Sequence, residues 1–194
     1  MLPAEAHLEA IRSFLAERSG DAVRLRLATE LDAGFLLELR LDSSRNRNIS
    51  TTSNDLGAQI SWMRAYAARA SAGQEAYFVI EVEGFPQGSL RLYDYRPSEN
   101  SFCWGSWIIR PGAPASTAYQ SAILVYDLAF GPLCFARSHF DVRQLNASVW
   151  KFHEKMGARL AHVDSVNRAY TYEAEDYRQT RARLQKFTQK RDFR

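Results

Sequence analysis

The chain has 194 residues, of which 46% are hydrophobic and 24% are charged, and its formal net charge at pH 7 is +3. This length suits one domain with a substantial core and leaves little room for a second. The composition excludes a disordered chain. The small net charge gives no argument for a nucleic acid partner and suits an anionic ligand equally well.

The cysteines and the N-terminus bear on the compartment. Cys103 and Cys134 are too few for a disulfide framework or a zinc site, and each lies in an apolar run. We therefore expect both to be small core residues in a reducing compartment. The first turns carry Glu5, Glu9 and Arg12 and lack a signal-peptide core, and no stretch approaches the ~20 apolar residues of a membrane span. These features predict a cytoplasmic protein that uses no metal and binds neither membrane nor nucleic acid.

Hydrophobic periodicity predicts a chain of mixed helices and strands. Gly105, inside a predicted strand, indicates a bulge or a close approach of a ligand to the backbone. The polar stretch Asp42–Asn54 has no period and predicts a loop between two helices. The predicted order is helix 3–18, strand 22–28, a helix that begins after Thr29, helix 55–72, strands 76–83, 87–95 and 101–109, helix 118–130, strand 135–142, helix 146–157, strands 159–163 and 169–172, and a basic helical tail over 177–194.

This order predicts an α/β fold. A meander of strands followed by two crossovers favours a twisted mixed sheet of about seven strands, with helices on both faces.

The segment that follows the fifth predicted strand reads as a short amphipathic helix. Asn146 can accept a backbone N–H as the N-cap, and Gly157 supplies the left-handed exit. A histidine on its apolar stripe is either a core residue that donates to a backbone carbonyl or a functional group. The residues at i, i+3, i+4 and i+7 are Val149, Phe152, His153 and Met156.

Residues 108–122 combine the end of a strand, a loop of small residues and prolines, and the start of an apolar helix. The first N–H groups of a helix are unpaired and its dipole favours negative charge, so this layout suits an anion such as a pyrophosphate. The alternative is a plain connection between a strand and a helix.

The run from Asn146 through His153-Glu-Lys-Met-Gly157 resembles the Asn…Tyr-Glu-Lys-x-Gly-Phe motif of the GNAT N-acetyltransferases. His153 stands in the place of the tyrosine and Ala158 in that of the phenylalanine. The order of elements from 22 to 172 is also that of the GNAT fold. The resemblance implies a GNAT-like domain over 22–174, preceded by a helical extension over 1–21 and followed by a basic helix or tail over 175–194.

The resemblance implies an acetyl-CoA site. The pyrophosphate motif Arg/Gln-x-x-Gly-x-Gly/Ala of the family falls on Ala115, Ala118 and Gln120, so the arginine and both glycines are replaced, while Pro111 matches the usual proline. The strand before the loop is expected to splay from its neighbour and pair with the pantetheine arm. The residues implied to bind acetyl-CoA are Trp107, Ile108, Ile109, Ser116, Thr117, Ala118, Tyr119, Gln120, Asn146 and Phe152.

The implied catalytic residues are His153 and Asn146. His153 would protonate the departing thiolate, because an imidazole with an unperturbed pKa near ~6.5 keeps an acid fraction at neutral pH. Asn146 would reach the pantetheine arm or an ordered water; a plain N-cap remains the alternative. The glutamate that serves as a base in the ribosomal-protein branch falls on Cys103 or Trp104. Asp94 and Glu99, near the sheet edge that should face the substrate, are base candidates. The alternatives are that both are solvated turn residues and that a water relay serves an amine held neutral.

The polar loop lies where GNAT acceptors usually bind. Its Arg/Asn-rich sequence is similar to that of bacterial acetyltransferases of amino-sugar nucleotides. The expected reaction is therefore acetyl transfer from acetyl-CoA to a primary amine on an amino-sugar nucleotide, by an enzyme that can form a homodimer. The alternatives are an acetyltransferase of protein N-termini and a GNAT-fold module that binds its ligand without turnover. The implied acceptor-binding residues are Arg45, Asn46, Arg47, Asn48 and Tyr93.

Overall fold

A computed structural model of the protein describes residues 2–44 and 50–184. Within these residues it contains both helices and strands. The helices are α1 (Ala4–Glu17), α2 (Ala33–Leu41), α3 (Leu56–Ser71), α4 (Thr117–Phe130), α5 (Ala147–Met156) and α6 (Ala174–Leu184). The strands are β1 (Val23–Leu27), β2 (Ala76–Val82), β3 (Phe85–Arg96), β4 (Ser101–Ile109), β5 (Arg137–Arg143), β6 (Arg159–Val163) and β7 (Asn167–Glu173).

The strands form one seven-stranded sheet in the order β1-β2-β3-β4-β5-β7-β6. Strands β1 to β4 are an antiparallel meander. β4 then runs parallel to β5, which pairs antiparallel with β7, and β7 pairs antiparallel with β6. The α/β fold class and the mixed sheet predicted from the sequence are confirmed.

Strand β2 shows how the two faces of the sheet are covered. Phe78 and Ile80 belong to a core cluster with α1 and α4. Tyr77 and Val79 belong to a second cluster with α2 and α3. Side chains of a strand alternate between faces, so α2 and α3 lie on one face and α1 and α4 on the other. None of the helices in the described residues has the length and apolarity that crossing a bilayer requires.

Both terminal helices pack on the same core as the sheet. Ile11 and Phe14 of α1 are buried in the larger cluster, as is Tyr177 of α6. Asp127 accepts hydrogen bonds from Tyr177 Oη at 2.6 Å and from the Arg181 guanidinium at 2.8 and 2.9 Å. This carboxylate on an otherwise apolar helix is thereby paired, and α6 is held against α4.

The expectation for Cys134 is wrong. Cys103 is buried, but Cys134 is exposed in the loop between α4 and β5. Its φ of 57° is left-handed, and its thiol donates to the Gly131 carbonyl oxygen at 3.4 Å. Leu133 and Phe135 on either side are buried. The turn at Cys134 thus directs both neighbours into the core and leaves the cysteine outside.

Candidate functional site

Strands β4 and β5 enclose an open wedge. They are paired only at Ser101–Arg137 and Phe102–Ser138, at the start of both strands. β4 continues to Ile109 and β5 to Arg143 without further pairing to each other. Along this stretch the backbone edge of β4 that faces β5 has no strand partner, so it can pair with an extended ligand.

A bulge lies in the wall of this wedge. Ser89 and Arg91 of β3 face Ile108 and Gly105 of β4, so β4 contains one extra residue there. Ser106, in the bulge, has a left-handed φ of 48°. A Cβ on Gly105 would stand 2.9 Å from Tyr93 Oη, which explains the glycine. The bulge predicted from Gly105 is therefore present, and it brings Trp104 and Trp107 to the same side of the sheet.

His153 fills the inner part of the wedge. Only 5% of the residue is exposed. Its ring centroid lies 4.4 Å from that of Phe140 on β5, 5.4 Å from Trp104 on β4 and 5.5 Å from Phe152. The side chain therefore bridges the two diverging strands.

The protonation state of His153 differs from the expectation. Burial lowers its pKa to about 3, because the aromatic surroundings penalise the charged form. The imidazolium is thus not populated at neutral pH. The expectation that His153 keeps an acid fraction at neutral pH is therefore wrong. Nδ1 is buried and has no hydrogen-bond partner among the described residues. The alternative, a core histidine that donates to a backbone carbonyl, is therefore not found at this nitrogen.

Asn146 begins α5 without the expected side-chain cap. Its carbonyl oxygen accepts from the N–H groups of Val149 and Trp150 at 3.1 and 3.2 Å. Its side chain caps no backbone N–H; instead Oδ1 accepts from the Ser148 hydroxyl at 3.3 Å. The capping prediction is wrong because the nearby hydroxyl takes the amide oxygen. Gly157 has the predicted left-handed conformation, with a φ of 106°.

The loop after β4 leads into the N-terminus of α4. Ser116 is the N-cap; the Thr117 N–H donates to the Pro114 carbonyl and the Gln120 N–H to that of Ser116, each at 2.9 Å. Residues 111–115 are small or proline and largely exposed. Thr117 Oγ1 is buried and has no partner in the described part of the chain. A helix N-terminus with an uncommitted hydroxyl fits a diphosphate, although the glycines of the family motif are absent.

Several of the predicted cofactor residues form one aromatic wall. The Trp107 ring lies 5.0 Å from that of Phe152, and the Phe152 ring lies 4.8 Å from that of Tyr119. Trp107 Nε1 donates to Ser121 Oγ at 3.2 Å, which fixes the indole against α4. Lys155 Nζ lies 5.7 Å from the Tyr119 ring, so a positive charge stands near the first turn of this helix. The fold thus brings the wall, His153 and the α4 N-terminus to one cleft.

A polar cavity of about 360 Å³ lies on the other face of β4, beneath α3. Arg91 is held in its wall by the buried carboxylate of Glu75, which also accepts from Arg69 Nε at 2.6 Å. The guanidinium of Arg91 lies 5.2 Å from the Trp62 ring and 4.9 Å from the Tyr93 ring. The cavity is lined by Arg40, Ser50, Thr51, Thr52, Ser53, Asp55, Ala58, Gln59, Trp62, Tyr77, Arg91 and Ser106.

Most residues of this cavity carry no signal in the sequence. Strand alternation predicts that Arg91 lies on the opposite face of the sheet from Leu90 and Leu92. No pattern in the sequence predicts that Gln59 or Arg40 lies near the bulge. Tyr93 lies on the same face as Arg91, beside Gly105. The predicted acceptor residues Arg45, Asn46, Arg47 and Asn48 lie outside the described residues.

The base candidates of the sequence analysis are not free. Asp94 accepts from Arg96 at 2.8 Å and lies 2.9 Å from His139 Nε2, at the closed end of the wedge. Glu99 is in a short turn just before β4, 3.9 Å from Arg96. Burial raises the pKa of the Cys103 thiol to about 11, so this residue is not a thiolate nucleophile at neutral pH.

Comparison with known proteins identifies the family. A model described as an acetyltransferase (GNAT) domain matches residues 22–159. FdhC in its apo form, a nucleotide-linked sugar GNAT, is similar at 37% identity, covering 87% of this chain and 96% of that one, with a TM-score of 0.81.

Two further structures are similar at the level of the fold alone. RimJ of Mycobacterium smegmatis in complex with CoA-disulfide has 20% identity and a TM-score of 0.71, covering 84% of this chain and 87% of that one. A spermidine N-acetyltransferase SpeG mutant from Vibrio cholerae has 17% identity and a TM-score of 0.68, covering 80% and 96%. Among curated proteins no relative matches. Because the family model covers most of the chain, the protein belongs to the GNAT family and is an acyl-CoA-dependent N-acetyltransferase.

Proposed function

We propose that this enzyme transfers the acetyl group of acetyl-CoA to a primary amine on an amino-sugar nucleotide. The observation that carries the proposal is the open wedge between β4 and β5. Its β4 wall is followed by the α4 N-terminus and contains the bulge, whose Ser106 also lines the polar cavity. The similarity to a nucleotide-linked sugar GNAT supports the class of acceptor. The arginines, hydroxyl groups and indole of the cavity suit a hydroxylated ring.

The cofactor side of the wedge has groups for each part of acetyl-CoA. The N–H groups at the start of α4 and Thr117 Oγ1 would bind the diphosphate. Lys155 would supply the positive charge that the missing motif arginine gives in other members. The unpaired edge of β4 at Trp107, Ile108 and Ile109 would pair with the pantetheine arm, along the wall formed with Phe152.

The chemistry follows from the charge states of the buried groups. Bound acetyl-CoA supplies an activated thioester. Because the Cys103 thiol is held protonated by burial, the amine attacks the thioester directly and no acetyl-cysteine forms there. Backbone N–H groups at the β4 bulge would stabilise the oxyanion. His153 remains neutral and would donate a hydrogen bond from its single N–H to the departing thiolate, which takes its proton from solvent.

Replacing Ala118 with glutamate should weaken acetyl-CoA binding roughly 100-fold, because a carboxylate would stand where the diphosphate binds. Wild-type protein at about 100 times its Kd should gain roughly 2.7 kcal/mol of stability, which thermal denaturation detects. The same change at Ala161, which is exposed on β6, is the matched control. No thermal shift of the wild type with acetyl-CoA would overturn the proposed function.

Replacing His153 with phenylalanine should lower turnover roughly 100-fold, as the loss of one positioned donor does in other enzymes. Acetyl-CoA binding should stay nearly intact, because the aromatic ring preserves the packing with Phe140 and Trp104. The measurement is thiol release with amino-sugar nucleotides and with peptide N-termini as acceptors. Unchanged turnover would assign His153 to packing alone. Binding without release of thiol on any acceptor would indicate a ligand-binding module.

A further inference from the structure

The acceptor arrives with a proton that the reaction must remove. An alkyl ammonium has no lone pair, so the amine needs a group that accepts its proton before it attacks the thioester. In the ribosomal-protein branch of the family a glutamate takes this place, which falls here on Cys103 or Trp104. Cys103 is a buried, protonated thiol and Trp104 donates Nε1–H to Tyr126 Oη at 3.0 Å. Neither residue can accept the proton at neutral pH, so the accepting group lies elsewhere.

Most carboxylates on the α2/α3 face of the sheet are already paired with cations. Glu75 accepts from Arg69 and Arg91. Glu81 accepts from Arg24 and Arg26 at 2.8 and 2.7 Å. Asp94 contacts His139 and Arg96. Each of these groups has its charge balanced and is poorly suited to receive an ammonium.

Asp141 on β5, in contrast, has no cation partner in the part of the chain that the structure describes. Phe140 and Val142 are buried in the core with α4, so the alternating Asp141 points to the opposite face, as His139 does. His139 Nδ1 lies 2.9 Å from Ser101 Oγ, which places this face of β5 beside the corresponding face of β4. Asp141 is exposed, and within the described ranges its carboxylate has no hydrogen-bond or ion-pair partner.

The strand register places Asp141 at the bulge. The last pair between β4 and β5 is Phe102–Ser138. Counted on from that pair, Asp141 is at the level of Gly105, on the other side of the open wedge. After burial, and for Tyr93 after Cys103 as well, the negative charge of Asp141 contributes to the raised pKa values of Tyr93 and Cys103, in keeping with this position. Ser106, the next residue of the bulge, lines the acceptor cavity.

We propose that Asp141 receives the ammonium group of the acceptor and takes its proton. The inference rests on the proposed function. One N–H bond breaks and its proton passes to an Oδ of Asp141, which is exposed and can release it to water. The freed nitrogen pair forms the N–C bond, and the nitrogen then gives up its second proton to water. The C–S bond breaks with its electron pair on sulfur, where the thiolate is protonated from solvent.

The test compares Asp141→Asn with the wild type on acetyl-CoA and a panel of nucleotide-linked 3-amino and 4-amino hexoses. We expect kcat/KM for the best acceptor to fall about 100-fold. Wild-type protein should bind that amino sugar about tenfold more tightly than the nucleotide-linked hexose with a hydroxyl in place of the amine, and Asp141→Asn should lose this preference. Asp141→Glu should recover part of both.

The control is Asp21→Asn, an exposed carboxylate just before β1, three strands from β4. It should leave rate and preference unchanged, and the thermal shift with acetyl-CoA should be the same in all variants. An active wild type whose Asp141→Asn variant keeps both its rate and its amine preference would overturn this inference alone. A wild type that binds acetyl-CoA but acetylates no member of the panel would overturn the proposed acceptor, and the role of Asp141 with it.

Discussion

Replacing Glu75 with alanine should lower the free energy of unfolding by about 3–5 kcal/mol, the usual cost of removing one partner from a buried ion pair. The side chain of Glu75 is 3% exposed and accepts from Arg69 Nε at 2.6 Å and from the Arg91 guanidinium. Without it two guanidinium groups, 37% and 22% exposed, face each other with no counter-charge. Urea denaturation measures the change.

The control for Glu75 is the exposed carboxylate of Glu99, 3.9 Å from Arg96. Because exposed pairs contribute at most about 1 kcal/mol, Glu99→Ala should change stability little. The affinity for the acceptor should also fall in Glu75→Ala and stay unchanged in Glu99→Ala. Arg91 lies between the Trp62 and Tyr93 rings in the cavity wall, and it keeps this position only while Glu75 holds it. If the free energy of unfolding of Glu75→Ala lies within about 1 kcal/mol of the wild-type value, the ion pairs of Glu75 do not stabilise the cavity wall.

The fold is the part that the sequence predicts well, because its signals are local. The aromatic and β-branched density of 101–109, bounded by a Pro/Asn turn, predicts a strand whose bounds agree with β4. Gly105 predicts the bulge because a single residue without a Cβ marks it. Gly157 predicts the left-handed residue that ends α5. Each of these predictions depends on residues within one element.

The site was harder to predict because its properties arise between elements. The pKa of His153 on α5 is lowered by burial against Trp104 and Phe140, which contact it from β4 and β5. Cys134 has the neighbours of a core residue, and only its backbone conformation places it outside. Asp141 becomes a candidate only when its register to Gly105 and the pairing of Asp94 are known. Sequence periodicity carries none of this information.

Lowering the pH from 6.5 to 5 should remove about 1.6 kcal/mol of stability through His153 alone. In the unfolded chain the imidazole has an ordinary pKa near ~6.5, whereas burial lowers the folded pKa to about 3. Between these values the unfolded state binds a proton that the folded state does not, so the free energy of unfolding falls by up to about 1.4 kcal/mol per pH unit. Above pH 6.5 both states are neutral and the effect vanishes. Urea denaturation at a series of pH values measures it.

Comparison with His153→Phe isolates this contribution. His7 is also buried with a lowered pKa and acts in the same direction, as do carboxylates near pH 4, but these effects are common to both proteins. Between pH 6.5 and 5 the variant should lose less stability than the wild type, by about 1.6 kcal/mol. At pH 8 it should be at least as stable, because no buried Nδ1 is left without a partner. Parallel pH profiles would mean that His153 is protonated in the folded protein. The imidazolium would then be populated, and His153 could protonate the departing thiolate directly as a general acid.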